Sequence, residues 1–277
     1  MTNTKQPVLP QSTLDQVIKL ASEAGEAIMA IYEKDFAIYD KADQSPLTEA
    51  DLAAHHCILA GLADLTPDIP VLSEESKDSA IAERLSWNRY WLIDPLDGTK
   101  EFIKKNGEFT VNIALIDNHR PVFGVVYAPA LGITYWGEQS LGAFKQQDNH
   151  KTEEIEVNPP PADSKGWRIV GSRSHQSEEF KRFAAGFDDA EIVSMGSSLK
   201  LCLVADGTAD IYPRLGLTSE WDTAAAQAVV EAAGGQVLEH PSLTPLRYNT
   251  RPDTLLNPFF IVCAKPVAVW SDGLGAP

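Results

Sequence analysis

Basic side chains are scarce: 23 Lys and Arg stand against 39 Asp and Glu in 277 residues, a formal charge of −16. A surface of that sign repels phosphate polymers, which argues against a nucleic-acid-binding protein and means that a small anionic ligand needs cations to reach it. Carboxylates that gather divalent metal ions are one way to reverse the local field. Cysteine is scarcer still. Cys57, Cys202 and Cys263 are odd in number, far apart and set among apolar residues. They leave neither a disulfide framework nor a CxxC metal site, and read as reduced, buried thiols. No apolar run approaches the roughly 20 residues of a membrane span. Residues 1–13 are polar, with no basic stretch leading into an apolar one, so no signal peptide is expected and the cytoplasm is the expected location. Repeats and low-complexity tracts are lacking too. No Gly-x-Ser-x-Gly turn accompanies His175, which removes a serine hydrolase.

What is present has clear periodicity. Leu14, Val17, Ile18, Ala21, Gly25, Ile28, Met29 and Tyr32 return at helical spacing behind a capping box of Thr13 and Gln16. A second helix is predicted from Thr48, carrying Leu52, Leu59 and Leu62 inward and ending near Pro67. Strand patterns follow at 69–73, 89–93, 109–116, 121–128 and 133–136, close enough together for an antiparallel sheet with helices against it. Residues 146–165, which include Asn158-Pro159-Pro160-Pro161, change character and are placed as the seam between halves at 1–160 and 161–277. Beyond it strands (168–171, near Glu191, 210–213) alternate with helices (178–185, from Ser198), which suggests a mixed sheet. A helix over 222–233, closed by Gly234-Gly235, precedes strands near Val237 and at 259–263. Trp87, Tyr90 and Trp91 read as packing residues. His55 and His56 are adjacent on a helix and cannot face one metal together, so they read as structural.

The acidic residues carry the chemistry. Asp94 and Asp97 bracket Pro95-Leu96 after the apolar strand ending at Ile93. Pro95 fixes its own φ and donates no hydrogen bond, so it stiffens a turn that can aim both carboxylates and the Leu96 carbonyl at one point. An oxygen-rich corner of this kind suits magnesium. Gly98-Thr99 follows, where helix-opening N–H groups can hold a phosphate oxygen. Glu74-Glu75 end a strand, the place where sheet proteins set ligands, and adjacent acids there point different ways, one to bind and one to support. Asp222 opens an alanine-rich helix and Thr48-x-x-Asp51 forms a capping box, so each has an ordinary structural reading when taken singly.

Taken in order, Thr48 to Asp51, Glu74-Glu75, Asp94-Pro95-Leu96-Asp97-Gly98-Thr99 and Trp221-Asp222 through Gly234-Gly235 closely resemble the inositol monophosphatase superfamily, over about residues 40–240. The resemblance implies an α+β fold, a layered α-β-α-β-α sandwich of the inositol monophosphatase and fructose-1,6-bisphosphatase type, with an antiparallel N-terminal sheet and a mixed C-terminal one. It implies two or three Mg²⁺ held by Glu74, Asp94, the Leu96 carbonyl, Asp97 and Asp222. Asp51 and Thr99, with Glu74, would be the catalytic residues that orient and deprotonate a water. Within the family, the continuation Lys100-Glu101-Phe102, the Asp43-Gln44-Ser45-Pro46-Leu47-Thr48 start and Arg214 look like the 3′(2′),5′-bisphosphate nucleotidase branch. This implies a phosphorylated nucleotide, adenosine 3′,5′-bisphosphate, as partner, cleaved to AMP and phosphate, and inhibition by lithium. Gly98, Thr99, Lys100, Ser172, His175, Ser197, Lys200, Arg214 and Asp222 would meet it. Arg214 and Lys100 as ordinary surface charges, an inositol monophosphatase, or a non-catalytic phosphate sensor are the alternatives. Oligomeric state and peripheral membrane association stay open.

Overall fold

The computed structural model describes residues 7–34, 38–40, 46–76, 78–148, 150–171 and 177–267. The chain runs through α1 (Gln11–Tyr32), β1 (Ile38–Asp40), β2 (Pro46–Thr48), α2 (Glu49–Leu65), β3 (Val71–Ser73), α3 (Asp78–Glu83), β4 (Arg89–Asp97), α4 (Thr99–Ile103), β5 (Thr110–Asp117), β6 (Arg120–Ala128), β7 (Ile133–Glu138), β8 (Gly142–Gln147) and β9 (Glu153–Ile155). It continues with β10 (Arg168–Gly171), α5 (Glu178–Ala184), β11 (Glu191–Ser194), α6 (Leu199–Ala205), β12 (Ile211–Arg214), α7 (Ala224–Ala232), β13 (Gln236–Glu239) and β14 (Phe260–Cys263). Strands β3 to β9 form one sheet in sequence order, and a second has the order β11-β10-β12-β14-β13.

Alternation along the strands builds the layers. In β4, Trp91 and Ile93 point to the side where α1 and α2 pack with Leu14, Val17, Ile58 and Leu62, while Tyr90 and Leu92 point to the side of α6 and α7. In β14, Phe260 and Val262 face the same central helices, whereas Ile261 and Cys263 face α5 with Phe180 and Phe183. Buried on both faces, these strands read as continuous apolar runs. The result is the expected α-β-α-β-α sandwich. Helix α7 lies so close to the first sheet that a side chain at Gly124 would strike the Ala225 carbonyl, and one at Gly137 would crowd the Val229 backbone.

Several local expectations are corrected. The N-terminal sheet is antiparallel except for β3, which pairs parallel with β4. Helix α1 begins at Gln11 behind Pro10, so Thr13 and Gln16 lie inside it and form no capping box; proline supplies the fixed φ that starts the helix. Leu52 faces outward at 38% exposure, because Ala50, Ala54 and Ile58 occupy the inward stripe of α2. Cys57 is only half-buried, unlike Cys202 and Cys263. The stretch read as a seam contains β9, which closes the edge of the first sheet against β8. Its prolines follow, with Val157 donating to the Ala233 carbonyl and Asn158 to that of Gly207.

Candidate metal and phosphate site

Strand β4 does not turn at Pro95; it bulges. Asp94 pairs with Asn112 and Asp97 with Thr110, so three steps on β4 match two on β5. Alternation would send residues i and i+3 to opposite faces, and the extra residue returns both carboxylates to the same one. Pro95 suits the bulge because it has no N–H to give the ladder. The Asp94 carboxylate accepts from the Leu96 N–H at 3.1 Å, which braces the distortion. Glu74 follows β3 alongside, its N–H donating to the Ile93 carbonyl at 3.1 Å. Asp222 arrives from the C-terminal half, in a 3₁₀ turn where its Oδ2 accepts from the Ser219 N–H at 2.8 Å.

One oxygen each from Asp94, Asp97 and Asp222 lies within 4.8 Å of the others. Glu74 stands outside that trio, yet its charge and a hydrogen bond with Asp94 bear on the site. Burial first, and then the neighbouring charges of Glu74, Asp97 and Asp222, holds Asp94 well above the ordinary carboxylate range. Burial also raises Asp97, opposed by Lys200 and by the Ser198 N–H that donates to its Oδ2 at 2.6 Å. Asp222 is pushed up to about 8, by burial and then by Asp97. Three acids that resist ionising together need cations or protons. An all-oxygen donor set of this kind suits a hard divalent ion.

A consequence for stability follows. The folded protein holds a proton on Asp222 up to about pH 8, whereas the unfolded chain releases it near the ordinary aspartate value of 3.8. The stabilising contribution is therefore complete below the unfolded value and is lost as pH climbs through about 8; Asp94 and Asp97 push in the same direction. Chelator-treated protein should melt at a lower temperature at about pH 8 than at about pH 6, and a divalent cation should raise the melting point more at the higher pH. Thermal melts with and without the ion check this; a cation effect independent of pH would contradict it.

Asp51 is buried, and its two oxygens divide their work. Oδ2 accepts from the Thr48 N–H at 2.8 Å and the Thr48 hydroxyl at 2.6 Å, closing the expected capping box of α2. Oδ1 accepts from the Thr99 hydroxyl at 3.3 Å. Thr99 Oγ1 is also 3.4 Å from the Leu96 carbonyl, so its side chain hangs over the bulge. Gly98 enters α4 at φ 91°, a left-handed conformation, and a side chain there would meet the Ser197 hydroxyl.

The other expected contacts divide. Lys200 and Arg214 line a cleft of about 170 Å³ with Asp97, Gly98, Ser197 and Asp222. It adjoins a pocket of about 260 Å³ walled by Phe180, Met195 and Leu215, and Glu101, Lys200, Tyr212 and Arg214 line both. The Ser197 hydroxyl is within donating distance of the Asp97 and Glu108 carbonyls, at 2.9 and 2.8 Å, and so ties the two halves together. Lys100 is exposed on α4 and lines neither space, so the cation next to Asp97 is Lys200. Ser172 and His175, with Asp43, Gln44 and Ser45, lie outside the described residues. Sequence reasoning missed Asn112 and Thr110. The Asn112 carbonyl oxygen accepts from the Ser198 hydroxyl at 2.8 Å, and the Thr110 and Ser198 hydroxyls are 2.8 Å apart. The available signal was a single asparagine in the apolar run of β5.

Among known proteins, the inositol monophosphatase family matches residues 10–258. The Escherichia coli O6:H1 3′(2′),5′-bisphosphate nucleotidase CysQ is 49% identical over 251 residues, 90% of this chain and 98% of the relative. The Haemophilus influenzae protein of that name is 36% identical over 262 residues, 95% of this chain and 96% of its own. In structure, CysQ from Bacteroides thetaiotaomicron superposes with a TM-score of 0.81 at 42% identity, covering 94% of this chain and all of that one. A Thermotoga maritima IMPase gives 0.72 at 25% identity, over 92% of each chain. Likeness of this degree along nearly the whole of both partners leaves one placement: the chain belongs to the inositol monophosphatase family.

Proposed function

We propose that this chain is a magnesium-dependent 3′(2′),5′-bisphosphate nucleotidase that hydrolyses adenosine 3′,5′-bisphosphate to AMP and phosphate in the cytoplasm. The observation that carries the reading is the Asp94, Asp97 and Asp222 trio, of which Asp97 and Asp222 line one cleft with two cations, Lys200 and Arg214. The names of the CysQ relatives point the same way. Glu74, Asp94, the Leu96 carbonyl, Asp97 and Asp222 would hold two or three Mg²⁺. When bound, the ions supply positive charge that draws a phosphate in and makes a water acidic enough to attack it. The chain's own residues then orient and exchange protons. Thr99 gives its hydroxyl proton toward Asp51 Oδ1, which leaves its lone pairs to accept from a water. Lys200 and Arg214 offer charge to the second phosphate, and the adjoining pocket with Phe180 and Met195 offers apolar walls to the nucleoside. In this reading 1–160 is the half bearing Glu74, Asp94 and Asp97, and 161–277 the half bearing Asp222 and the nucleotide contacts. No helix among the described residues is long and apolar enough to cross a membrane.

Phosphate release from adenosine 3′,5′-bisphosphate, inositol 1-phosphate and fructose 1,6-bisphosphate tests the reading. The nucleotide should lead in kcat/KM by at least about tenfold, the discrimination expected of a site with charged groups placed for a second phosphate. In Arg214→Met that lead should shrink through a raised KM for the bisphosphate, with 3′-AMP little affected. Preference for inositol 1-phosphate would overturn the assignment.

A further inference from the structure

Among the described residues, Arg84 is the only buried Lys or Arg, 1% exposed. It sits in the 3₁₀ turn Arg84–Ser86, in the connection between β3 and β4, the strands that lead to Glu74 and to Asp94. Its guanidinium reaches across to the other half of the chain. Nη1 donates to the Asn249 side-chain oxygen at 2.5 Å, and Nη2 lies 2.7, 3.0 and 3.3 Å from the carbonyls of Arg251, Pro252 and Thr254. Asn249 returns a bond from Nδ2 to the Arg84 carbonyl at 2.6 Å. Residues 249–254 are thus wrapped around one buried cation.

That strap grips the segment bearing Asp222 from both sides. The Asn249 N–H donates to the Glu220 carboxylate, 2.9 Å from each oxygen, and the Glu220 N–H donates to the Leu255 carbonyl at 2.8 Å. Ser219 and Leu256 form an antiparallel bridge. Asn257 completes the hold: its N–H meets the Thr218 carbonyl at 2.8 Å, and its Nδ2 lies 2.7 Å from the Ser219 carbonyl and 3.0 Å from Thr223 Oγ1. Asp222 therefore stands in a turn whose neighbours at 218–220 and 223 are tied to the strap.

Stability alone is a poor reason for this design. A buried guanidinium carries a large desolvation cost, and the Arg84 Nε finds no protein acceptor. An apolar residue would avoid that cost but leave the Asn249 side-chain oxygen and the carbonyls of Arg251, Pro252 and Thr254 without their donor. Only the planar, multi-donor fork of arginine can gather an irregular strand's carbonyls and a side-chain amide in fixed geometry. Asn249, at φ 56°, is in the left-handed region, so the strap is bent where the fork meets it.

We propose that Arg84 is a positioning residue for Asp222: through the 249–257 strap it sets where that carboxylate stands relative to Asp94 and Asp97, and so how tightly the trio holds a divalent cation. This rests on the reading of the trio as the metal site. Residues that orient a ligand from behind change metal affinity or activity by about 10–100-fold when replaced.

The test uses the full chain. Mg²⁺ binding is followed by calorimetry and, separately, by the Mg²⁺ dependence of adenosine 3′,5′-bisphosphate hydrolysis, in Arg84→Lys, Asn249→Gly, Asp222→Asn and the Arg84→Lys/Asp222→Asn double variant. Asn249→Gly keeps the left-handed backbone and the N–H to Glu220 while removing the side-chain pair, and decides the matter alone if Arg84→Lys fails to fold. Arg84→Lys and Asn249→Gly should weaken Mg²⁺ binding by about 10–100-fold, with saturating Mg²⁺ restoring kcat to within about threefold. In the Asp222→Asn background, Arg84→Lys should have no further effect on affinity, because its action passes through Asp222. A lowered melting temperature with unchanged Mg²⁺ affinity in a folded variant overturns the proposal and leaves the trio intact. Undiminished Mg²⁺ binding in Asp222→Asn instead removes the metal-site reading itself.

Discussion

Asp94→Asn should lower turnover by about a thousandfold and, in the presence of chelator, raise the melting temperature. The two effects have one origin. Asp94 is 1% exposed, and its charge is opposed by burial and by Glu74, Asp97 and Asp222. Asparagine is nearly isosteric and keeps an oxygen to accept from the Leu96 N–H, so the bulge in β4 survives while the repulsion is relieved. What disappears is the negative charge that draws a divalent cation. Activity and stability then move in opposite directions, as expected where a site holds unfavourable charge for function. Asp97→Asn should lose activity comparably but gain less stability, because its carboxylate already enjoys the Ser198 N–H and the neighbouring Lys200. Steady-state kinetics alongside melts in chelator check both variants. Near-normal turnover in Asp94→Asn, or a fall in its melting temperature, would mean that the carboxylate serves the fold instead.

Much of this architecture was readable because local chemistry repeats where strands and helices begin and end. The continuous apolar runs of β4 and β14, the Thr48 to Asp51 capping box and the Gly234-Gly235 stop each act within a few residues of themselves. The bulge at Pro95 was not readable. Whether Asp94-Pro95-Leu96-Asp97 turns or stays in the sheet depends on its register with Asn112 and Thr110, a property of the partner strand. The parallel pairing of β3 was hidden for the same reason. Helix faces suffered where alanine does the packing: Leu52 is the more apolar residue, yet Ala50 and Ala54 fit the close approach of α2. Lys100, next to the motif, lines neither space, while Lys200 and Arg214, both expected from the sequence as ligand contacts though far from the motif, line the cleft. Arg84 gives no local hint at all, since its partners come 165 to 170 residues later.

Thr99→Val should reduce kcat by about 10²–10³-fold while leaving the KM for adenosine 3′,5′-bisphosphate and the affinity for Mg²⁺ within about threefold, the pattern of a lost proton acceptor. Valine matches threonine in shape and removes only the hydroxyl. That hydroxyl has one proton, and Asp51 Oδ1 and the Leu96 carbonyl, at 3.3 and 3.4 Å, compete to accept it. Thr48 occupies the other Asp51 oxygen, so the α2 cap and the proposed proton path share one carboxylate. This sharing makes Asp51 the wrong residue to change first: Asp51→Asn would also disturb the cap, at about 1 kcal/mol, and mix folding with chemistry. Thr99 has no such second duty. Thr99→Ser, which restores the hydroxyl without the methyl group, should recover most of the rate. If valine instead turns over as well as threonine, the water is deprotonated elsewhere and the Asp51–Thr99 contact is only a brace between α2 and the start of α4.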